Sequence, residues 1–267
     1  MLLALGGGVR RFRSTQLSDF QLCPALAYWR YERGLVPKGP ESVHLFFGKV
    51  VHEAIHVYHA EGQEAARARI EEAPWDGVEA HRLKTKERAL GLFEAYVREV
   101  KRHQFEVEAT EVEFEWPLTL GVWKGRWDML ARVDGMLYIV EHKTVQSWGY
   151  QVAPDLQLEA YYYVGQKVLE EKPRGVLVTL LNVRALDVRW TLRTFMEYEL
   201  ERWEREVEQL MDFYLHCQVR GVWPRAAGAC RRWWSLCPYH VLCTSDAAEE
   251  VAERLFVVDE ERRDLEW

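Results

Sequence analysis

The chain has 267 residues, 48% of them hydrophobic, with 12 Trp, 12 Tyr and 10 Phe, which is enough apolar material for a large core. Its net charge is −7, so the protein surface as a whole does not attract nucleic acid. Binding to nucleic acid would need a local basic patch. No stretch approaches the ~18 apolar residues of a membrane span, and the first apolar run precedes its charges, unlike a signal peptide, so we expect a cytoplasmic protein with no membrane segment.

Hydrophobic periodicity predicts helices on both sides of a block of strands. The predicted elements, in chain order, are helices at 15–33, 48–61 and 77–103, strands between 105 and 144, a helix at 154–170, strands at 174–183 and 186–193, and a helix at 195–219. No repeat or linker divides the chain. We therefore expect a single domain over residues 1–267, of class α/β, with a central mixed β-sheet flanked by helices.

The strongest local signal is the Asp134-Gly135 pair between two apolar strands, which is typical of a two-residue hairpin turn. Counting outward from this turn places Asp128 opposite Glu141, and like charges facing each other destabilise a sheet. Lys143 shares a face with Glu141, because strand residues two apart point the same way. A cation from Lys143, a raised carboxyl pKa or a bound divalent metal would each explain the two acids.

These residues resemble a known signature. Asp128, followed beyond the hairpin by Glu141-His142-Lys143, is similar to the motif of the PD-(D/E)XK nuclease superfamily, with Glu where its RecB-type exonuclease branch more often has Asp. That branch carries further elements in order, matched here by Gly48 and His52 (Gly-x-x-x-His), by Glu111 or Glu113 on the preceding strand, and by Gln157 and Tyr161 (Gln-x-x-x-Tyr). The resemblance implies a restriction-endonuclease-like core over about residues 44–195.

The resemblance also implies roles for these residues. Asp128, Glu141 and Lys143 would be catalytic, and Mg²⁺ or Mn²⁺ would be held by His52, Asp128, Glu141 and the backbone carbonyl of His142. Glu111 or Glu113 would be an accessory acid. Gln157 and Tyr161, one helical turn apart, would contact or position DNA.

The five cysteines are better interpreted as thiols or metal ligands than as disulfides. Cys230, Cys237 and Cys243 lie within fourteen residues, and together with Cys23 they resemble the ligands of a [4Fe-4S] cluster in RecB-type exonucleases, including AddB-type and CRISPR-associated ones. The spacing from Cys230 to Cys237 is longer than usual, and Zn²⁺ is an alternative for four thiolates. Such a cluster would join the helix at 15–33 to a C-terminal segment at 224–245.

Two short basic clusters are candidates for contact with DNA. One is the pair Arg231 and Arg232, close to the cysteines, and the other comprises Arg10, Arg11 and Arg13. Charge runs of this kind are more often solvated surface.

The function that we expect is a metal-dependent DNA exonuclease, acting on single-stranded DNA or DNA ends in recombination, repair, or phage or CRISPR DNA processing. The sequence has no Gly-x4-Gly-Lys-[Ser/Thr] loop, so we expect no helicase motor in this chain. It would either work alone on ends and single strands or join a partner that unwinds or integrates DNA, such as a helicase or a recombination or CRISPR-adaptation protein. One alternative is a catalytically silent DNA-binding scaffold. A remote one is a zinc protease, since His52, Glu53 and His56 match the HExxH pattern.

Overall fold

A computed structural model describes residues 9–148, 155–232 and 235–260. The chain forms two compact units. The central unit comprises Pro40–Phe114 and Arg126–Glu197, and the terminal unit comprises Met1–Gly39, Glu115–Gly125 and Tyr198–Trp267. None of the helices in the described ranges is long and apolar enough to cross a membrane.

Helices and strands alternate along the chain as the sequence predicts in outline. The helices are α1 (Ser14–Leu22), α2 (Pro24–Ala27), α3 (Val43–Glu61), α4 (Gln63–Glu72), α5 (Lys86–Arg102), α6 (Leu156–Val168), α7 (Glu197–Arg220), α8 (His240–Thr244) and α9 (Ala248–Leu255). The strands are β1 (Arg11–Phe12), β2 (Leu35–Pro37), β3 (Glu106–Leu118), β4 (Gly121–Val133), β5 (Met136–Val145), β6 (Val176–Asn182), β7 (Asp187–Arg193), β8 (Arg231–Arg232), β9 (Ser235–Leu236) and β10 (Phe256–Val258).

The sheet of the central unit has mixed strand directions. β4 pairs antiparallel with β5, β5 pairs parallel with β6, β6 pairs antiparallel with β7, and β3 pairs with β4. Parallel neighbours need a crossover connection, and α6 supplies it between β5 and β6. The predicted α/β class with a central mixed sheet flanked by helices is confirmed.

Helices cover both faces of this sheet. On one face, the buried ring of Tyr96 from α5 lies 5.4 Å from the ring of His142 on β5. On the opposite face, Gly165 of α6 lies so close to Ile139 of β5 that an added Cβ would stand 2.6 Å from the Ile139 Cδ1 atom. A glycine is therefore required for α6 to approach β5 this closely.

The predicted hairpin turn and its register are confirmed. Asp134 and Gly135 both have positive φ, 52° and 74°, as a type I′ turn requires. Leu130 pairs with Ile139, and Met129 pairs with Val140. One further step along the same register brings Asp128 opposite Glu141.

The predicted continuous helix at 15–33 is wrong. It breaks at Cys23, whose backbone is extended (φ −164°, ψ 110°), and α2 restarts at Pro24. Proline has no N–H to donate and disfavours a helical conformation in the residue before it, which explains the break. A π-helical turn then follows at Tyr28–Glu32.

The helix predicted at 77–103 begins later, at Lys86. Thr85 caps it, accepting a hydrogen bond from the Arg88 N–H at 3.4 Å, and the residues before the cap form a short 3₁₀ turn at Trp75–Gly77 and a loop. Threonine is a favoured N-cap, so the local sequence does contain the true start of α5. The helix α4 was not predicted.

In the terminal unit, the N-terminal and C-terminal segments pack together. β10 pairs antiparallel with β2, and the buried Tyr239 donates a hydrogen bond from its hydroxyl to the Leu35 carbonyl at 2.7 Å. β1 pairs in parallel with Val122 and Trp123.

Candidate active site

A cleft of about 790 Å³ opens in the central unit between α3, β3 and the β4–β5 hairpin. Most of the side chains around it are charged or are histidines. They include His44, Lys49, His52, Glu53, His56, Glu111, Arg126, Glu141, His142 and Lys143. Three of these residues, His44, Lys49 and Arg126, belong to no motif that the sequence reveals.

Asp128 contacts two residues that line this cleft, His52 and His142. Its Oδ2 atom accepts a hydrogen bond from the backbone N–H of His142 at 2.9 Å and lies 3.5 Å from Nδ1 of His52. Burial raises the pKa of Asp128, and the His142 hydrogen bond acts against that rise. The hairpin therefore brings the predicted acid, histidine and backbone segment together.

Glu141 is buried, with 3% of the residue exposed. Its Oε1 atom lies 2.6 Å from the Lys143 ammonium, while its Oε2 atom has no hydrogen-bond partner among the described residues. Burial, followed by the neighbouring Asp128 carboxylate, raises the pKa of Glu141. An unsatisfied buried carboxylate oxygen is expensive, so this atom is where an added cation would be most stabilising.

Lys143 belongs to a hydrogen-bond chain that leads into α6. Its ammonium donates to Oε1 of Gln157 at 2.7 Å, and the Gln157 amide donates to the Tyr161 hydroxyl at 2.8 Å. That hydroxyl in turn donates to the carbonyl of Arg126. Tyr161 is buried. The contacts of Gln157 and Tyr161 fix the position of the Lys143 ammonium. Contact of either residue with DNA stays a prediction.

The two candidate accessory acids have different surroundings. Glu111 lines the cleft and forms an ion pair with Arg126 at 2.8 Å, and its φ of 55° indicates a local distortion of β3. Glu113 is exposed and is not among the lining residues. The geometry thus places Glu111 nearer the other acids.

His52 lies on α3, facing the acids. Burial lowers its pKa, so the imidazole is neutral near pH 7 and a ring nitrogen can serve as a ligand. The other members of the HExxH pattern are engaged elsewhere: Glu53 pairs with Arg69 at 2.7 Å, and the His56 ring bonds the Thr110 hydroxyl at 2.6 Å.

The donor set suits a hard divalent cation by its chemistry. Carboxylates with one imidazole are ligands that Mg²⁺ and Mn²⁺ accept, and the unpartnered oxygen of Glu141 leaves a coordination position. Within the described ranges, however, no group of three or more His, Cys, Asp or Glu side chains is already arranged to hold a metal ion. The Lys143 ammonium occupies one oxygen of Glu141, and its departure would free that atom.

The four predicted cluster cysteines all lie in the terminal unit. Cys23 Sγ accepts from the Ala226 N–H at 3.4 Å, Cys243 Sγ accepts from the Trp29 indole at 3.3 Å, and the Cys237 N–H donates to the Cys230 carbonyl at 2.9 Å. Burial and then the other thiols of the group raise the pKa of Cys243 and of Cys237. The thiols are thus close enough to interact, although they too form no metal-holding group as they stand.

The basic clusters have different positions. Arg231 is exposed on β8, and nothing is described of the Arg232 side chain. Arg10 is buried and pairs with Glu32, and Arg11 pairs with Glu115 at 2.8 Å. Arg10 is therefore not part of a solvated basic surface, and Arg11 is a partly exposed residue that already pairs with a carboxylate of the same unit.

Comparisons with known proteins give a family match and similar solved structures. A family model described as the PD-(D/E)XK nuclease superfamily matches residues 12–244, and a search of curated proteins found no match. A "Putative exonuclease" from Eubacterium rectale is 14% identical, covering 90% of this chain and 88% of its own, with a TM-score of 0.55. The protein SSO0001 (15% identity, 78% and 80% coverage, TM-score 0.33) and VC1899 from Vibrio cholerae (12%, 78% and 56%, 0.25) are more distant.

Proposed function

Because the chain belongs to the PD-(D/E)XK nuclease superfamily, we propose that it is a metal-dependent deoxyribonuclease that acts as an exonuclease on single-stranded DNA or DNA ends. The observation that supports this proposal is the convergence of Asp128, Glu141 and Lys143 beside His52 at one cleft. The name of the Eubacterium rectale protein agrees with exonuclease action, but at 14% identity the likeness extends to the fold alone.

In this proposal, Asp128, Glu141, His52 and the backbone carbonyl of His142 hold Mg²⁺ or Mn²⁺. When bound, the cation supplies activation of water and neutralisation of the charge that develops on the scissile phosphate. The unpartnered Oε2 of Glu141 and the neutral His52 ring are the features of this chain that support such a ligand set.

Lys143 has the second role. Its ammonium is held between Glu141 and Gln157, so it is aimed by a carboxylate on one side and by α6 on the other. From this position it can donate a hydrogen bond to the attacking water or to a phosphate oxygen. Gln157 and Tyr161 are positioning residues, since they restrict where that ammonium points.

The proposal is tested with end-labelled single-stranded and duplex DNA incubated with Mg²⁺ or Mn²⁺. We expect progressive shortening from an end, complete inhibition by EDTA, and no cutting of covalently closed single-stranded circles, which are the matched control without ends. Cutting of the circles would retain the nuclease but reject the exonuclease. Metal-stimulated DNA binding without any hydrolysis would indicate a silent scaffold instead.

We further propose that Cys23, Cys230, Cys237 and Cys243 bind a [4Fe-4S] cluster, with Zn²⁺ as the alternative. Burial and then the neighbouring thiols raise the pKa of Cys237 and of Cys243, which supports a shared ligand, because adjacent thiolates repel one another until a cation joins them. Such a ligand would join the segments around α1 and α8.

Any unwinding of duplex DNA would come from a partner protein, such as a helicase or a recombination or CRISPR-adaptation protein.

Anaerobically purified protein should therefore contain iron and absorb near roughly 400 nm, as iron–sulfur proteins ligated by cysteine do. Cys237→Ser should remove most of that absorbance, and Cys217→Ser is the matched control, because Cys217 is buried within α7. Zinc without iron would select the alternative, and a protein with neither metal would reject the shared ligand.

A further inference from the structure

Three basic side chains cluster at the start of α3, beside the candidate active site. The rings of His44 and His81 have centres 5.0 Å apart. Burial and then the nearby Lys84 ammonium lower the pKa of His44, so all three groups are close together. His44 also lines the cleft that holds Glu141 and Lys143, and the cluster therefore adjoins the proposed catalytic position.

Lys84 is the unusual member of this cluster. Only 7% of the residue is exposed, and its ammonium has no hydrogen-bond or carboxylate partner in the part of the chain that the structure describes. The ammonium lies over the ring of Phe47, 5.4 Å from the ring centre. The face of an aromatic ring attracts the ammonium but does not neutralise its charge. The site therefore has the charge for an anion that the chain itself does not provide.

His81 has a donor to offer to such an anion. The backbone N–H of Leu83 donates to its Nδ1 atom at 3.1 Å, so Nδ1 must be unprotonated. The ring proton is then on Nε2, which becomes a hydrogen-bond donor. The tautomer of His81 is thus set by the backbone in the form that an anion needs.

The first turn of α3 adds to the positive potential. The N-cap residue Ser42 makes no capping hydrogen bond with its side chain among the described residues. The first turn of α3 also contains no acidic residue. The preceding acid, Glu41, is engaged by Lys49 at 2.5 Å. Unsatisfied N–H groups and the helix dipole both favour an anion at such an end.

We propose that His44, His81 and Lys84, together with the first turn of α3, form a subsite for a phosphate group of the nucleic acid backbone, next to the scissile position. The inference rests on the proposed function, since it assigns a second contact to the same substrate. A chain with a net charge of −7 needs local positive sites of this kind to hold a polyanion.

The test compares Lys84→Met with Lys101→Met. The control makes the same change at an exposed lysine in the last turn of α5. Both are made in a Glu141→Gln background, so that bound DNA is not degraded, and binding to a labelled single strand is measured by fluorescence anisotropy across a salt series. Lys84→Met should weaken binding about tenfold, the equivalent of one lost charged hydrogen bond. It should also reduce the slope of log affinity against log salt by about 0.7, whereas Lys101→Met should change neither.

Folding of the variants is followed by thermal unfolding. Lys84→Met should keep or raise Tm, because burial of Lys84 disfavours its charged form and the new side chain is apolar and of similar length. Inorganic phosphate should raise the Tm of the parent protein and have no effect on Lys84→Met. If Lys84→Met bound DNA as tightly as the parent, the subsite would be overturned. This holds even if free phosphate raises the Tm of the parent protein, because the site would then bind only the free ion.

The outcomes for the subsite and for the proposed function are separable. Hydrolysis by the wild-type protein together with unchanged DNA affinity in Lys84→Met would reject the subsite alone. Weaker, less salt-dependent binding by Lys84→Met in a protein that never hydrolyses DNA would support the subsite and reject the nuclease.

Discussion

Glu141→Gln should lower the rate of DNA hydrolysis by about a thousandfold or more, which corresponds to about 4 kcal/mol of activation free energy. The amide keeps the shape of the side chain but removes the negative charge that a divalent cation requires. It also removes the charged partner of Lys143, whose ammonium lies 2.6 Å from the Glu141 Oε1 atom. Single-turnover hydrolysis of end-labelled DNA in Mg²⁺ measures the change.

The same substitution should leave the fold intact. Because burial raises the pKa of Glu141, its ionised form is disfavoured inside the protein, and a neutral amide should not lower the free energy of unfolding. Glu72→Gln, at an exposed position on α4, is the control and should retain full activity. If Glu141→Gln kept its rate within about tenfold while the control behaved as expected, Glu141 would not hold the metal and the assigned site would be wrong.

The part of the site that could be predicted is the part encoded by short-range geometry. A two-residue turn has few backbone solutions, so Asp134-Gly135 alone determines which β4 residue faces which β5 residue. The motifs at Gly48 and His52 and at Gln157 and Tyr161 are likewise spaced by one helical turn. Such relations depend on the local backbone and not on the rest of the fold.

What could not be predicted depends on contacts between distant parts of the chain. The choice between Glu111 and Glu113 depends on which strand face meets Arg126, and the distortion of β3 at Glu111 (φ 55°) shifts the alternation that the sequence suggests. Lys84 falls within the helix predicted at 77–103, where it is one of several charged residues. In the structure it is a largely buried residue whose ammonium lies over the ring of Phe47. Neither position carries a local signal.

Arg10 is the clearest case of this kind, and it leads to a prediction about stability. In the terminal unit, its guanidinium pairs with Glu32 and lies 4.8 Å from the centre of the Tyr214 ring. The Tyr214 hydroxyl donates to the same Glu32 carboxylate at 2.7 Å and accepts from Gln16 at 3.0 Å. Only 11% of the Glu32 side chain is exposed, so this network is largely hidden from water.

Glu32→Gln should therefore lower the free energy of unfolding by about 3–5 kcal/mol, because it removes the carboxylate that pairs with the buried guanidinium. The loss is a large part of the roughly 5–15 kcal/mol that stabilises an ordinary domain. Glu249→Gln is the matched control: Glu249 forms two hydrogen bonds of 2.6 Å with Arg33 in the same unit, but its side chain is 66% exposed. That change should cost less than about 1 kcal/mol.

Urea denaturation of both variants separates burial from pairing as the source of the effect. Adding Arg10→Met to Glu32→Gln should restore most of the lost stability, because both charges of the buried pair are then absent. Equal, small losses for Glu32→Gln and Glu249→Gln would contradict the buried network. Glu32→Gln could instead cause a large loss of stability that Arg10→Met fails to reverse. That result would show that the loss comes from the contacts of Tyr214 and Gln16 with the carboxylate, and that Arg10 is not its source.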